Sequence, residues 1–230
     1  MAFHHSPNIV TDDLQFYVDA ANTKSYPGSG TSWYDLSENN NTATLSTPTY
    51  TSAGVKSMLF DANGDEAYAT ELTVPATGAF TVEFMYKITN TVGRGGLFER
   101  RPTSTFNGMS LGQGGSNIWA FTVSDNYTNG TLQADFSYPS INVWYHDVGI
   151  FNGTNTVYGY RNGALVDTTT GVTVGNLDSA GARDKLKIMK RDTNSSTVLG
   201  SVACVRVYHK ALAAAEVAQN YQALRRRFGL

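Results

Sequence analysis

The sequence predicts an all-β protein, two antiparallel sheets packed face to face, with one short α-helix at the C-terminus. About a dozen short runs rich in Val, Ile, Phe, Tyr and Trp recur at roughly 8–12-residue spacing between Gly/Asn turns. The stretch Trp144–Val166 condenses the pattern into a meander, with Trp144–Phe151 and Thr156–Arg161 joined by Asn152-Gly153-Thr154-Asn155, then the turn Asn162-Gly163. Asn-Gly suits such turns because it tolerates positive φ. Only Leu212–Arg227 changes period, with Leu212, Val217, Tyr221 and Leu224 at helical spacing, three arginines in the last turn and Gly229 beyond.

In chain order, residues 1–13 form a polar arm and Leu14–Asp19 the first strand, with Leu14, Phe16 and Val18 on one face. A loop closed by Trp33-Tyr34-Asp35-Leu36-Ser37 leads to a short strand over Thr42–Leu45, then to Ser57–Asp61, an acidic turn and Ala67–Leu72. Phe80–Ile88 places Phe80, Val82, Phe84 and Tyr86 inward, so Glu83 is expected on the surface. Further strands are expected at Leu97–Glu99, Met109–Leu111, Ile118–Val123 and Leu132–Phe136. In the meander, Trp144, His146, Val148 and Ile150 share one face of a half-buried strand, and Tyr145, Asp147, Gly149 and Phe151 the other. Leu186–Met189 and Gly200–Tyr208 complete the sheets. The expected layout is an arm over 1–13, a sandwich over 14–212 and a helix with its tail over 213–230.

Composition narrows the function. The 230 residues are 41% hydrophobic and 16% charged, with 22 Gly and 13 Tyr, which describes a folded chain with a weakly charged surface. A net charge of −2 supplies no field for nucleic acid or anionic membranes, so neither partner is expected. No run approaches the roughly 18 apolar residues of a membrane span, and residues 1–5 lack a signal-peptide pattern. The one cysteine, Cys204, lies in an apolar run and reads as a buried, inert thiol. The chain reads as one folded in a reducing cytoplasm, so its Asn-X-Ser/Thr triplets read as turns.

Seven pieces, in order, resemble the laminin-G-like jelly rolls of the concanavalin A-like lectin/glucanase superfamily. They are Leu14–Asp19, Trp33–Ser37, Phe60–Asp65, Phe80–Phe84, Trp144–His146, Arg161–Gly163 and Val205–Leu212. The opening His5–Asp12 and the ending Gln219–Gly229 are similar to versions of this domain in virion proteins of tailed bacteriophages. The resemblance implies a two-sheet jelly-roll sandwich and a structural or adhesive part of a phage particle.

Three chemistries are conceivable on such a fold. Glucanase relatives carry paired acids on one strand, as retaining hydrolysis requires two carboxyls about 5–5.5 Å apart. Here Glu83 has only Thr81 and Met85 beside it on its face, so no catalytic residue is expected. Asp61, Asn63 and Asp65 place oxygens at alternate positions of a turn, a pattern that suits calcium. The family's usual Gly after the first Asp is Ala62 here, and its acidic pair before the last strand is Ala203-Cys204. For stacking on sugar rings, the candidates are Trp119, Tyr127 and Tyr26, with Asn126 as a hydrogen-bonding partner; Trp33 and Trp144 read as core. His146 reads as packed, and Gly112–Gly115 lacks the Lys and helix of a phosphate cradle.

The reading is a non-enzymatic virion protein, such as a head decoration, neck or fibre-associated component, exposed on the particle after assembly in the host cytoplasm. Its expected partners are other virion proteins (major capsid, neck or tail), further copies of itself, and cell-surface or environmental polysaccharide. Arg225, Arg226, Arg227 and Phe228 are the expected subunit contacts, and both tails are expected to be dispensable for folding. The alternative is a calcium-assisted lectin module; a glycan hydrolase comes third.

Overall fold

The computed structural model describes residues 7–62, 64–69, 72, 77–90, 96–100, 108–115, 118–125, 130–175, 177, 186–190 and 198–230. Among these are sixteen strands and one helix. The strands are β1 Leu14–Asp19, β2 Ser32–Trp33, β3 Ala43–Ser46, β4 Thr49–Thr51, β5 Ser57–Phe60, β6 Glu66–Ala69, β7 Phe80–Ile88 and β8 Gly96–Arg100. They continue as β9 Gly108–Gly115, β10 Ile118–Ser124, β11 Thr131–Phe136, β12 Trp144–Phe151, β13 Thr156–Arg161, β14 Ala164–Thr170, β15 Leu186–Ile188 and β16 Gly200–Tyr208. Helix α1 spans Ala214–Phe228.

Two antiparallel sheets result. The first runs β14-β13-β12-β7-β16-β5-β4, with β1 also paired to β16. A bulge between Val202 and Cys204 lets β16 serve two neighbours on one side, Gly200–Val202 with β5 and Cys204–Tyr208 with β1. The second runs β11-β10-β9-β8-β15-β6-β3-β2. Between them lies one apolar core that includes Phe16, Trp33, Phe60, Phe84, Phe98, Phe121 and Val205, all fully buried. This is the two-sheet jelly roll with a C-terminal helix that the sequence predicts.

β1, β7, β12, β13 and β16 have the predicted bounds, because each alternates β-branched or aromatic residues over its whole length. Ser32–Trp33 and Thr49–Thr51 also pair as strands, and both are too short to show a period.

The largest departure concerns the outer face of the first sheet. β12, expected to be half-buried, is buried on both faces because α1 and the N-terminal arm cover the outer side of the sheet. Val10, Val148, Ile150, Tyr208, Leu212 and Val217 form one cluster there, and Met85, Cys204, Leu224 and Phe228 another. The helix starts where Glu216 reaches back to the Ala213 N–H at 2.8 Å, half of a capping box that Ala213 has no oxygen to complete. It stops at Gly229, which takes the left-handed conformation (φ 70°).

The close fit of the sheets rests on Gly149. A Cβ there would lie 2.3 Å from the ring of Phe121 on the opposite sheet, inside any tolerable contact. Gly149→Ala is expected to cost about 1–3 kcal/mol by overpacking, readable as a lowered urea midpoint with an unchanged m-value.

Candidate functional site

Three places hold concentrated polar chemistry, and burial separates them. The first lies under α1. Glu83, on the outer face of β7, is 2% exposed and is not the surface residue its alternation suggests. Its Oε2 accepts Arg206 Nη1 at 2.9 Å and Asn220 Nδ2 at 3.1 Å, and its Oε1 pairs with His146 Nε2. Burial pushes the Glu83 carboxyl up, yet Arg206 and His146 outweigh it and hold the group at about 2. Asn220 also donates to Tyr208 Oη (3.0 Å) and accepts from the Val10 N–H (2.8 Å), tying helix, sheet and arm together. The Tyr221 ring stacks on His146 with centroids 5.7 Å apart. A carboxylate enclosed by these partners has no access to substrate, and no carboxylate stands among its hydrogen-bond partners. The arrangement is a structural joint.

The second place lies between the sheets. Asp147 accepts both Arg161 Nε and Nη2 at 2.7 Å, the Tyr86 hydroxyl at 2.7 Å and the Trp119 indole N–H at 3.2 Å. Arg161 also lies over the Tyr145 ring, 4.5 Å from its centroid. Trp119 therefore does not present a stacking face to solvent. It is fully buried, stacked on Tyr86 at 5.6 Å and capped edge-on by Tyr138. The expectation of exposure fails because Trp119, within the strand predicted over Ile118–Val123, shares the inward face of Phe121 and Val123 and lies opposite Phe136.

The remaining sequence candidates divide similarly. Tyr26 is 5% exposed, with its hydroxyl on the Gly30 carbonyl and its ring against Tyr50, so it packs the loop it belongs to. Asn126, Tyr127 and Asn63 lie outside the described residues. Asp61 is exposed, but Asp65 is buried and engaged: Oδ2 accepts the Asp61 and Ala62 N–H groups at 2.9 Å, and Oδ1 accepts the Thr47 hydroxyl at 2.6 Å. These hydrogen bonds hold Asp65 within that turn, and no cluster of three metal-binding His, Cys, Asp or Glu side chains occurs among the described residues. At the C-terminus, Arg227 donates to Asp19 Oδ2 at 2.7 Å and Phe228 packs on Trp144. Both are thus spent within the chain, while Arg225 is half-buried and Arg226 exposed. Cys204 is buried as expected, and burial pushes its thiol up to about 12, which leaves it inert.

The third place is the outer face of the second sheet, and sequence reasoning missed it. Inward residues of its eight strands belong to the core, so their alternates face out. Strand register aligns these alternates into one row across all eight strands: Gln133, Thr122, Ser110, Glu99, Lys187, Tyr68, Thr44 and Ser32, each directly opposite the next. Every member carries a hydrogen-bonding group. Glu99 and Thr122 are buried, Gln133, Ser110, Lys187, Tyr68 and Ser32 are half-buried, and Thr44 is exposed. A parallel row, Asp135, Ala120, Gly112 and Gly96, is nearly bare of side chains beyond Asp135. Ala120, Gly112 and Gly96 are buried, so the groups this face offers at its surface are those of Gln133, Ser110, Lys187, Tyr68, Thr44, Ser32 and Asp135, hydrogen-bonding side chains with one aromatic ring. Among the described elements, the one helix packs on the other sheet.

Comparison with known proteins agrees with this architecture. No curated protein matches the sequence. The binding domain of botulinum neurotoxin DC, solved in complex with rat synaptotagmin II, superimposes with a TM-score of 0.71 at 15% identity, over 94% of this chain and 52% of that one. The same binding domain in complex with SialylT gives 0.72 at 15% identity, over 93% and 52%. The binding domain of Paraclostridial Mosquitocidal Protein 1 gives 0.67 at 14% identity, over 91% and 52%. At such identities the likeness is one of fold, and the chain spans about half the length of these structures. A laminin-G family model of the concanavalin A-like lectin/glucanases superfamily matches residues 61–218, most of the chain. The chain belongs to this laminin-G family of the concanavalin A-like lectin/glucanases superfamily.

Proposed function

We propose that the protein is a non-catalytic glycan-recognition module whose contact surface is the outer face of the second sheet. The observation that carries this is the register-aligned polar row from Gln133 to Ser32. Sugars are bound by dense hydroxyl hydrogen bonding with an aromatic ring under a pyranose face, and the row offers both, with Tyr68 as the ring. Two solved relatives point the same way. One is a toxin binding domain in complex with SialylT, the other belongs to a toxin whose cell entry depends on two ganglioside molecules. Neither buried acid network is open to substrate, which favours binding over hydrolysis. The setting we propose is the surface of a tailed-phage particle, supported by the resemblance of both chain ends to virion proteins. The module would there attach the particle to cell-surface or environmental polysaccharide, with neighbouring virion proteins or further copies holding it in place.

The test is a glycan array probed with the purified protein, with calcium and with chelator. Specific binding is expected, and Tyr68→Ala is expected to weaken it about tenfold or more without changing the melting temperature. Binding that is lost in chelator would tie recognition to calcium and to the Asp61–Asp65 turn. An array silent in both conditions would overturn the glycan reading.

A further inference from the structure

A separate cavity lies on the far side of the fold's opening segment, where the N-terminal arm and β1 meet the loop after β2. Its volume is about 450 Å³, within the roughly 300–1,000 Å³ usual for small-ligand sites. Asp35 holds its wall in place. One carboxylate oxygen accepts the Tyr17 and Ser37 N–H groups at 2.9 Å, the other the Asn41 N–H at 2.8 Å and the Ser37 hydroxyl at 2.6 Å. The loop is thus preorganised before any ligand arrives.

The hydrogen-bond inventory of the lining is one-sided. Asn39 spends its amide hydrogens on the Leu14 carbonyl and Ser37 Oγ, which leaves Oδ1. Gln15 directs Nε2 at the Asp13 carbonyl, which leaves Oε1. The carboxylates of Asp13 and Glu38 are both exposed, and neither takes a hydrogen bond or ion pair among the described residues. Lys210, a cation close in sequence to the last strand, is committed to Asp12 and Glu216 at 2.8 Å each. The cavity therefore presents four side chains with open acceptor oxygens, two of them charged, against two neutral donors, the Thr11 hydroxyl and the second amide hydrogen of Gln15, and no Lys or Arg among its described lining. Half-buried Leu14 and Leu36 add an apolar strip.

We infer that this cavity is a second binding site, for a donor-rich, positively charged polyol: an amino-sugar unit with a free ammonium group. Its hydroxyls and ammonium meet the four acceptors, and the C–H face of its ring meets the two leucines. An N-acetylated sugar lacks the ammonium that the carboxylates of Asp13 and Glu38 would pair with. Phosphorylated or carboxylated ligands are repelled by Asp13 and Glu38.

The experiment titrates the full chain, in chelator and physiological salt, with a glucosamine tetramer and with its N-acetylated counterpart, followed by calorimetry and backbone NMR. The free-amine tetramer is expected to bind at least tenfold more tightly and to shift amides of residues 11–15 and 36–39. Asp13→Asn with Glu38→Gln should remove that preference with an unchanged melting temperature, since Asn is well suited to the positive φ (55°) at position 13. Asp61→Asn, an exposed acid elsewhere, should leave it intact. Equal affinity for both tetramers, or full binding by the double variant, overturns the inference. So does calcium alone shifting these amides when the tetramer does not, which would make the cavity a cation site. Tyr68→Ala separates the two proposals, because it should spare this binding while weakening recognition at the sheet face.

Discussion

Glu83→Ala is expected to destabilise the protein by about 3–5 kcal/mol, the usual cost of leaving a buried partner charge uncompensated. Arg206 is fully buried, and Glu83 is the acid that neutralises it, with His146 on the other carboxylate oxygen. Removing the carboxylate leaves the guanidinium with the Tyr17 ring, 4.8 Å below it, and little else of opposite polarity. Replacing both Glu83 and Arg206 with Leu and Met is expected to cost less than the two single losses added together, because each then removes the other's unpaired charge. Urea denaturation of the parent protein, Glu83→Leu, Arg206→Met and the double variant closes this cycle and gives the answer. A single-variant loss under about 1 kcal/mol would show that the joint is not where stability resides.

The same residue makes acid stability predictable. The Glu83 carboxyl titrates near 4.5 in an unstructured chain and near 2 in the fold. A carboxylate with a depressed folded value stabilises the native state above its unfolded pKa. That contribution, about 3 kcal/mol, disappears as pH falls from 4.5 through 2. Glu83→Gln should flatten this part of the stability profile while lowering the neutral-pH plateau. An unchanged slope between pH 4.5 and 2 would assign acid sensitivity to other carboxylates.

Alternation in the sequence locates the strands and their inward faces, because period-two patterning is local. It says nothing about what covers an outward face. Glu83 reads as solvent-facing since Phe80, Val82, Phe84 and Tyr86 point the other way, and only the return of α1 some 137 residues later encloses it. One local sign of this was present: Asn220 lies in the row of Val217, Leu224 and Phe228, a polar residue on an apolar helix face that calls for a buried partner. Trp119 shows the opposite failure. A residue near a strand start was expected to be open, but the sheet continues past it and Asp147 supplies a hydrogen bond for its indole. The polar row was illegible for a deeper reason. Its members are ordinary residues drawn from positions 32 to 187, and long-range register alone sets them side by side.

Deleting residues 214–230 is expected to abolish cooperative folding. The sequence suggests a detachable contact, but three apolar side chains of this tail, Val217, Leu224 and Phe228, are buried against the first sheet. At about 1.5–3 kcal/mol each, they contribute roughly 5–9 kcal/mol, comparable with the whole stability of a typical domain. Truncation would also bare Val148, Ile150 and Met85 and strip Asn220 from Glu83, so that a half-satisfied charge cluster meets water. The truncated chain should show no sharp thermal transition by circular dichroism and should bind a hydrophobic dye. Leu224→Ala is the milder version, expected to cost about 2–5 kcal/mol while keeping a two-state transition. If the truncated chain instead melts sharply within a few degrees of the full-length protein, the helix is an appendage. Its arginines would then be free to reach a neighbouring subunit, as the sequence alone suggested. A loss of particle incorporation carries that meaning only for a variant that still folds, which makes Arg226→Ala, exposed and uninvolved in the joint, the substitution to use for the contact itself.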